Sequence, residues 1–196
     1  MDAAPSPWNI ANVVTMARIA LVPVFAWALL VDDGQSVTWR LVATGIFAVA
    51  AASDKIDGHL ARSRGLVTDL GKILDPIADK ALVGAALVLL WWPLGELPWW
   101  VPAVVLVREL GITAMRMGML RYEVMPASRG GKIKTVLQIA AILAFLLPLA
   151  HLHESAVVAA WVLMGAAVAV TVATGIDYLA QGWRIRRAAR RSEPAG

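Results

Sequence analysis

Apolar residues along this chain gather into six long stretches, and the polar residues collect between them and at their ends. A membrane-crossing helix needs roughly 20 mostly apolar residues. The stretches run approximately Asn12–Val31, Trp39–Leu60, Gly71–Trp92, Trp99–Leu120, Lys134–Ala150 and Ser155–Gln181, and each predicts a helix near that length. The links carry residues that break helices: Asp32-Asp33-Gly34, the segment from Pro93 to Pro98, and Gly130-Gly131. Trp91, Trp92, Trp99 and Trp100 flank one short link, as aromatic residues do at a bilayer interface. No internal repeat, low-complexity segment or soluble domain interrupts the pattern. The expected fold is therefore all-α: a polytopic bundle of six transmembrane helices forming one domain over 1–196, with a basic tail at 184–196.

Basic residues assign an orientation to that bundle. The link between the second and third stretches and the link between the fourth and fifth hold Arg62, Arg64, Lys72, Arg121, Arg129 and Lys132. The tail holds Arg184, Arg186, Arg187, Arg190 and Arg191. The alternate links are free of basic residues, apart from Arg40 near the start of the second stretch. Lys and Arg concentrate on the cytoplasmic side of short loops. This predicts a protein of the cell membrane with both termini and the two basic links in the cytoplasm.

Composition agrees with the membrane reading. Hydrophobic residues make up 59% of the chain and charged residues 16%, against about 25% charged in soluble domains. Mean hydropathy is +0.68. The net charge of +4 sits where a lipid surface would meet it, so nucleic acid is not the expected partner. Cysteine is absent, which excludes disulfides and thiolate metal sites. The polar start, Met1 to Pro7, does not look like a cleavable signal peptide.

Polar side chains within the stretches are not scattered. Asn12, Thr15 and Arg18 open the first stretch, Asp54 and Asp57 close the second, and Asp75 and Asp79 open the third. Arg116 closes the fourth, with Arg108 and Glu109 deeper, and Lys132 and Lys134 open the fifth. In an alternating topology nearly all of these lie at the cytoplasmic end. A charge at the bilayer centre costs about 2.5–3.5 kcal/mol on insertion scales, so this grouping predicts a wet, mutually neutralising chamber in the cytoplasmic half.

The aspartates carry the chemistry. Asp54, Asp57 and Ala61 are spaced i, i+3, i+7 and share one helix face; Asp75 and Asp79 are spaced i, i+4 and share another. A short link would make the two helices antiparallel neighbours with four converging carboxylates. Such a cluster is untenable at low dielectric without cations. Hard oxygen ligands favour Mg²⁺ or Mn²⁺, and two divalent ions suit four carboxylates acting on a phosphate. Gly58 and Ala61 leave room for a ligand to approach, and Arg62 offers a fixed cation to phosphate.

The spacing D-x2-D-G-x2-A-R-x8-G-x3-D-x3-D is met by Asp54, Asp57, Gly58, Ala61, Arg62, Gly71, Asp75 and Asp79. In this the chain resembles the CDP-alcohol phosphatidyltransferase family, and its length and six stretches fit as well. The resemblance implies that Asp54 and Asp75 bridge two metals, that Asp57 and Asp79 complete one site each, and that Asp79 is the general base for the acceptor hydroxyl. It implies that Asp57, Gly58, Ala61, Arg62, Thr68, Asn12 and Thr15 form the site for CDP-diacylglycerol. It also implies a homodimer.

Two further segments resemble the branch of that family whose acceptor is glycerol 3-phosphate. One is Asn9-Ile-Ala-Asn12-Val-Val-Thr15-Met-Ala-Arg18 followed by Pro23, with Ala11 where that branch usually has proline. The other is Gly131-Lys132-Ile-Lys134-Thr135-Val-Leu-Gln138, together with Arg108-Glu109 and Arg116. A phosphorylated acceptor needs cations beyond those around the metals, and Arg108, Arg116, Lys132 and Lys134 are the candidates for its phosphate; the alternatives are a structural ion pair of Arg108 with Glu109 and membrane anchoring by Lys132 and Lys134. Inositol phosphate makes the same demand, so charge leaves that acceptor open, as it does serine or phosphatidylglycerol for the same chemistry. A divalent-cation transporter is a more distant alternative. Transporter sites tend to lie at the midplane between repeats, whereas these carboxylates gather at one end. His59, His151 and His153 suggest no chemistry, and Asp177 is as well placed to pair with the basic tail as to react.

Overall fold

The computed structural model describes residues 9–63, 68–119, 129–151 and 153–192. They form six α-helices: α1 (Ile10–Leu30), α2 (Val37–Ser63), α3 (Asp69–Trp91), α4 (Trp100–Met119), α5 (Arg129–Leu146) and α6 (Glu154–Ser192). No strand occurs among the described residues. Every apolar stretch of the sequence is thus a helix. Two bounds differ from expectation. Gly130 and Gly131 lie in the first turn of α5 rather than in a link, where a helix still lacks intrahelical acceptors for its N–H groups. α6 continues past Gln181 into the basic tail, since Arg and Ala are good helix formers.

The chain divides into two compact units. The first comprises 1–98 and 142–157, the second 99–141 and 158–196.

In the first unit α1 packs against both α2 and α3. α1 begins at Asn9, whose Oδ1 accepts from the backbone N–H of Asn12 at 3.0 Å, an N-cap that satisfies an otherwise orphaned donor. At its other end the chain turns through Asp32, Asp33 and Gly34, with φ of 56°, 51° and 73°. Aspartate tolerates this left-handed region, and glycine adopts it freely. A side chain at Gly34 would also collide with Leu94. Phe25, Leu29, Phe47 and Leu87 of these helices are fully buried, as are the small Ala28, Ala43, Ala50 and Ala86. The Phe25 and Phe47 rings lie 5.7 Å apart at 50°, within the range of favourable aromatic pairs.

The same unit explains the one basic residue that broke the topological rule. Arg40 is buried and forms a two-pronged ion pair with Glu96, one arm Nη2 to Oε2 at 2.9 Å and the other Nη1 to Oε1. It also donates to the carbonyls of Phe145 at 2.8 Å and Leu146 at 3.3 Å, the last residues of α5. Helix-end carbonyls lack intrahelical donors and attract a cation. Arg40 is a neutralised cap and contributes no free charge to a loop.

In the second unit Tyr178 of α6 and Ile112 of α4 are buried together, with Met115 and Ile185 against them. Elsewhere large apolar side chains stand outward: Val107, Val162 and Ile176 of this unit, and Val49 of the first, are each more than 60% exposed. Soluble monomers rarely expose apolar surface on this scale. The segments 12–34 and 154–187 are long and apolar enough to cross a bilayer on their own. These features describe a helical membrane protein.

Candidate active site

The first unit gathers one group of polar residues. Asn12, Thr15 and Arg18 follow one another at intervals of three along α1 and are nearly inaccessible, at 3%, 1% and 1% exposure. Each reaches a different part of the aspartate motif. Asn12 Nδ2 donates to Thr68 Oγ1 at 2.7 Å. Thr68 is the N-cap of α3, and its Oγ1 also accepts from the backbone N–H of Gly71 at 3.1 Å. A hydroxyl oxygen has two acceptor positions and one proton to donate. Both acceptor positions of Thr68 are occupied, and the proton remains. Gly71 is needed here for space: a Cβ on it would stand 2.6 Å from Asn12 Oδ1.

Thr15 Oγ1 donates to Asp75 Oδ1 at 2.9 Å. Arg18 Nε donates to Ser53 Oγ at 3.3 Å, and Ser53 immediately precedes Asp54 on α2. One face of α1 therefore ties the start of α3, its first motif carboxylate and the end of α2.

Asp75 and Asp79 are both half-buried on α3, one turn apart. Asp54, Asp57, Gly58, Ala61 and Arg62 lie on α2, and their side chains are outside the described residues. Among the described residues no group of three or more acidic or histidine side chains forms a cluster; two of the four motif carboxylates are outside that count. The donors that are described suit a hard divalent ion. They are carboxylate oxygens, and among the described residues Asp75 has a neutral hydroxyl as partner and no ion pair. A half-buried carboxylate without a countercharge leaves an electrostatic vacancy that a cation would fill.

The second unit gathers the other group. Arg108 Nη1 and Lys134 Nζ both reach Glu109 Oε1, the first at 3.0 Å. Arg108 Nη2 donates to Thr174 Oγ1 at 3.0 Å, and the guanidinium carbon lies 5.6 Å from the centre of the Tyr178 ring. Gly175 gives the arginine stem its room, because a Cβ there would stand 3.1 Å from Arg108 Cγ. Two buried donors in this unit, Arg108 Nε and Gln138 Nε2, have no hydrogen-bond partner among the described residues. Lys132 is exposed, and the side chain of Arg116 is outside the described residues. Asp177 is exposed and accepts from Gln181 Nε2 at 2.9 Å.

Of the residues expected for the acceptor phosphate, Arg108 and Lys134 are thus brought together through Glu109. The expected nucleotide-lipid contacts Asn12, Thr15 and Thr68 are linked to one another and to Asp75 through α1 and α3. Sequence reasoning did not single out Ser53, Glu96 or Thr174, nor the joint hold of Glu109 on two cations. The adjacency of Arg108 and Glu109 in the chain suggested their ion pair, and no local signal marked Lys134 as the second partner.

Comparison with known proteins agrees with the motif. Residues 8–173 match the CDP-alcohol phosphatidyltransferase family model. The chain is 49% identical over 177 residues to a probable phosphatidylglycerophosphate synthase of Mycobacterium tuberculosis, covering 90% of this chain and 82% of the relative. It is 37% identical over 186 residues to a Bacillus subtilis CDP-diacylglycerol–glycerol-3-phosphate 3-phosphatidyltransferase, covering 90% and 96%. A Rickettsia felis relative of the same name is 34% identical over 137 residues, covering 68% and 72%.

Proposed function

The chain belongs to the CDP-alcohol phosphatidyltransferase family, and from that premise we propose that it makes phosphatidylglycerophosphate from CDP-diacylglycerol and glycerol 3-phosphate, releasing CMP. It is a transferase of phospholipid biosynthesis in a family of membrane enzymes that generally depend on divalent metal. The observation that carries the reading is the complete eight-residue motif from Asp54 to Asp79, in a chain that aligns over nine-tenths of its length with relatives named for this reaction.

In the proposed reaction the acceptor hydroxyl attacks the β-phosphorus of CDP-diacylglycerol. A bond forms between the acceptor oxygen and that phosphorus, and the bridging P–O bond to CMP breaks. Asp79 takes the hydroxyl proton, as a positioned carboxylate base can. Two divalent ions, Mg²⁺ or Mn²⁺, would be held by Asp54, Asp57, Asp75 and Asp79 and would offset charge on the pyrophosphate. Gly58, Ala61, Arg62 and the Thr68 hydroxyl would contact the phosphates and the cytidine. Arg108, Arg116, Lys132 and Lys134 would receive the acceptor's phosphate. Glu109 already balances part of the charge on Arg108 and Lys134, whereas Lys132 is exposed.

The same reading places all six helices across the membrane as one domain over 1–196, working as a homodimer, with both termini and the aspartates on the cytoplasmic side. The basic links support that orientation. Cysteines introduced at Gly95 and His153 should then label from outside intact cells, and one at Ser128 only after permeabilisation; the reverse pattern would invert the protein.

The acceptor is tested by incubating purified protein with CDP-diacylglycerol and a panel of alcohols, then weighing the lipid products by mass spectrometry. Phosphatidylglycerophosphate is expected. Phosphatidylserine, phosphatidylinositol phosphate or cardiolipin as the dominant product would reassign the acceptor within the same chemistry. No new lipid from any alcohol would overturn the transferase reading.

A further inference from the structure

We propose that Thr15 is a positioning residue for the metal ligand Asp75: its hydroxyl locks one carboxylate oxygen from within α1 and so presents the other to a hard divalent cation. The inference rests on the proposed role of Asp75 as a metal ligand.

The geometry is specific. Thr15 is 1% exposed, so its hydroxyl has no access to bulk water and its bonds are fixed by the protein. It donates to Asp75 Oδ1 at 2.9 Å across 60 residues of sequence. The terminal torsion of an aspartate is broad and roughly two-fold. A half-buried carboxylate without this bond would sample a range of orientations, and each would aim its two oxygens differently. Fixing Oδ1 removes that freedom before a cation arrives. The donor is neutral, so it orients the carboxylate without cancelling the charge that attracts the cation. An arginine or lysine in its place would do both.

The rest of α1 holds the donor steady. Asn12, one turn earlier, is bonded to the N-cap Thr68 of α3, and Gly71 brings that turn against the Asn12 amide. The register between α1 and α3 is therefore set at a second point, and Thr15 cannot slide relative to Asp75. Partners of metal ligands in other proteins are worth about 10–100-fold in metal affinity when removed, and the same loss is expected here.

The test uses the full chain in detergent and reads Mn²⁺ binding directly, from the electron paramagnetic resonance signal of free Mn²⁺. Thr15→Val exchanges the hydroxyl for a methyl of similar size, and Thr15→Ser keeps it. Thr15→Val should bind Mn²⁺ about 10–100-fold more weakly, while Thr15→Ser stays close to wild type. The melting temperature in EDTA serves as the control for folding. If Thr15→Val lowers it, Thr15→Ala carries the same comparison, measured on the folded fraction. In an Asp75→Asn background Thr15→Val should cause no further loss of Mn²⁺ affinity, because the ligand it positions is gone. Wild-type affinity in Thr15→Val or Thr15→Ala would overturn the proposal. So would a lower melting temperature in both with Mn²⁺ affinity unchanged, which would assign the hydroxyl to packing. A wild-type chain that binds no divalent ion would overturn the metal reading itself, while the acceptor panel judges the lipid reaction separately.

Discussion

Two acidic side chains in this protein meet opposite company. Asp75, in the first unit, is held by a threonine hydroxyl and has no ion pair among the described residues. Glu109, in the second, is gripped by Arg108 and Lys134 at the same oxygen. Both are intramembrane carboxylates by sequence, and hydropathy alone would treat them alike. The difference separates a group left with unspent charge from one whose charge is already matched. A buried ion with its partner beside it is a structural feature, often close to neutral in stability, whereas a charge without one calls for something to arrive. The cations follow the same division. Arg40 is satisfied by Glu96 and by two helix-end carbonyls, and Lys132 is exposed.

The largest effect expected from this contrast is on metal. EDTA should abolish turnover, and Mg²⁺ or Mn²⁺ should restore it, because Asp75 has no ion pair among the described residues and the proposed reaction needs divalent ions at the motif. Full activity in excess chelator, followed by radiolabelled CMP release, would erase the distinction between the two regions. Next in size is Asp79→Asn, which keeps shape and removes the proton acceptor. Turnover should fall by about 10²–10⁴-fold, with binding of CDP-diacylglycerol less affected. Near-normal rates would move the base elsewhere.

A smaller loss is expected among the cations. Lys132→Gln should lower kcat/KM for glycerol 3-phosphate by about tenfold to a hundredfold, the worth of a charge-assisted bond of about 1.5–3 kcal/mol. KM for CDP-diacylglycerol should hold. Arg116→Gln should behave in the same way. Equal losses for both substrates in steady-state kinetics would make these cations a general electrostatic feature. The smallest change belongs to Gln138→Met. Its Nε2 has no hydrogen-bond partner among the described residues, and a buried unpaired donor carries a desolvation cost of about 1–3 kcal/mol. The melting temperature should stay level or rise. A clear drop would show that the amide has a partner in the working protein.

Much of the architecture was legible in the sequence for a simple reason: a spanning helix is a local property of about 20 residues, and turn residues such as Asp32-Asp33-Gly34 announce its end. The aspartate motif was legible because its spacing is short and fixed on two successive helices. Pairings across the chain were not. Arg40 and Glu96 are 56 residues apart, as are Asn12 and Thr68, and nothing local marks them as partners. Arg108 and Lys134 share Glu109, and the part of that pairing that joins residues 25 apart is not visible to a count of basic residues. On α1 the sequence marked Asn12 and Thr15 as a polar face, but their partners Thr68 and Asp75 lie 56 and 60 residues away and are not marked locally.

The length of α6 has a consequence of its own. At 1.5 Å per residue its 39 residues measure about 58 Å, nearly twice the roughly 30 Å of hydrocarbon in a bilayer. About half of the rod has no oil to cross. Its last turns carry Trp183 with Arg187 stacked 5.1 Å from the ring centre, a side-chain pair suited to the boundary where greasy and wet surroundings meet. Beyond it the helix is a mast, stiff and positively charged. Cargo fused to its tip would ride about 14 Å beyond that boundary, the length of the nine residues after Trp183, and shortening the mast by a turn would lower that cargo by about 5.4 Å.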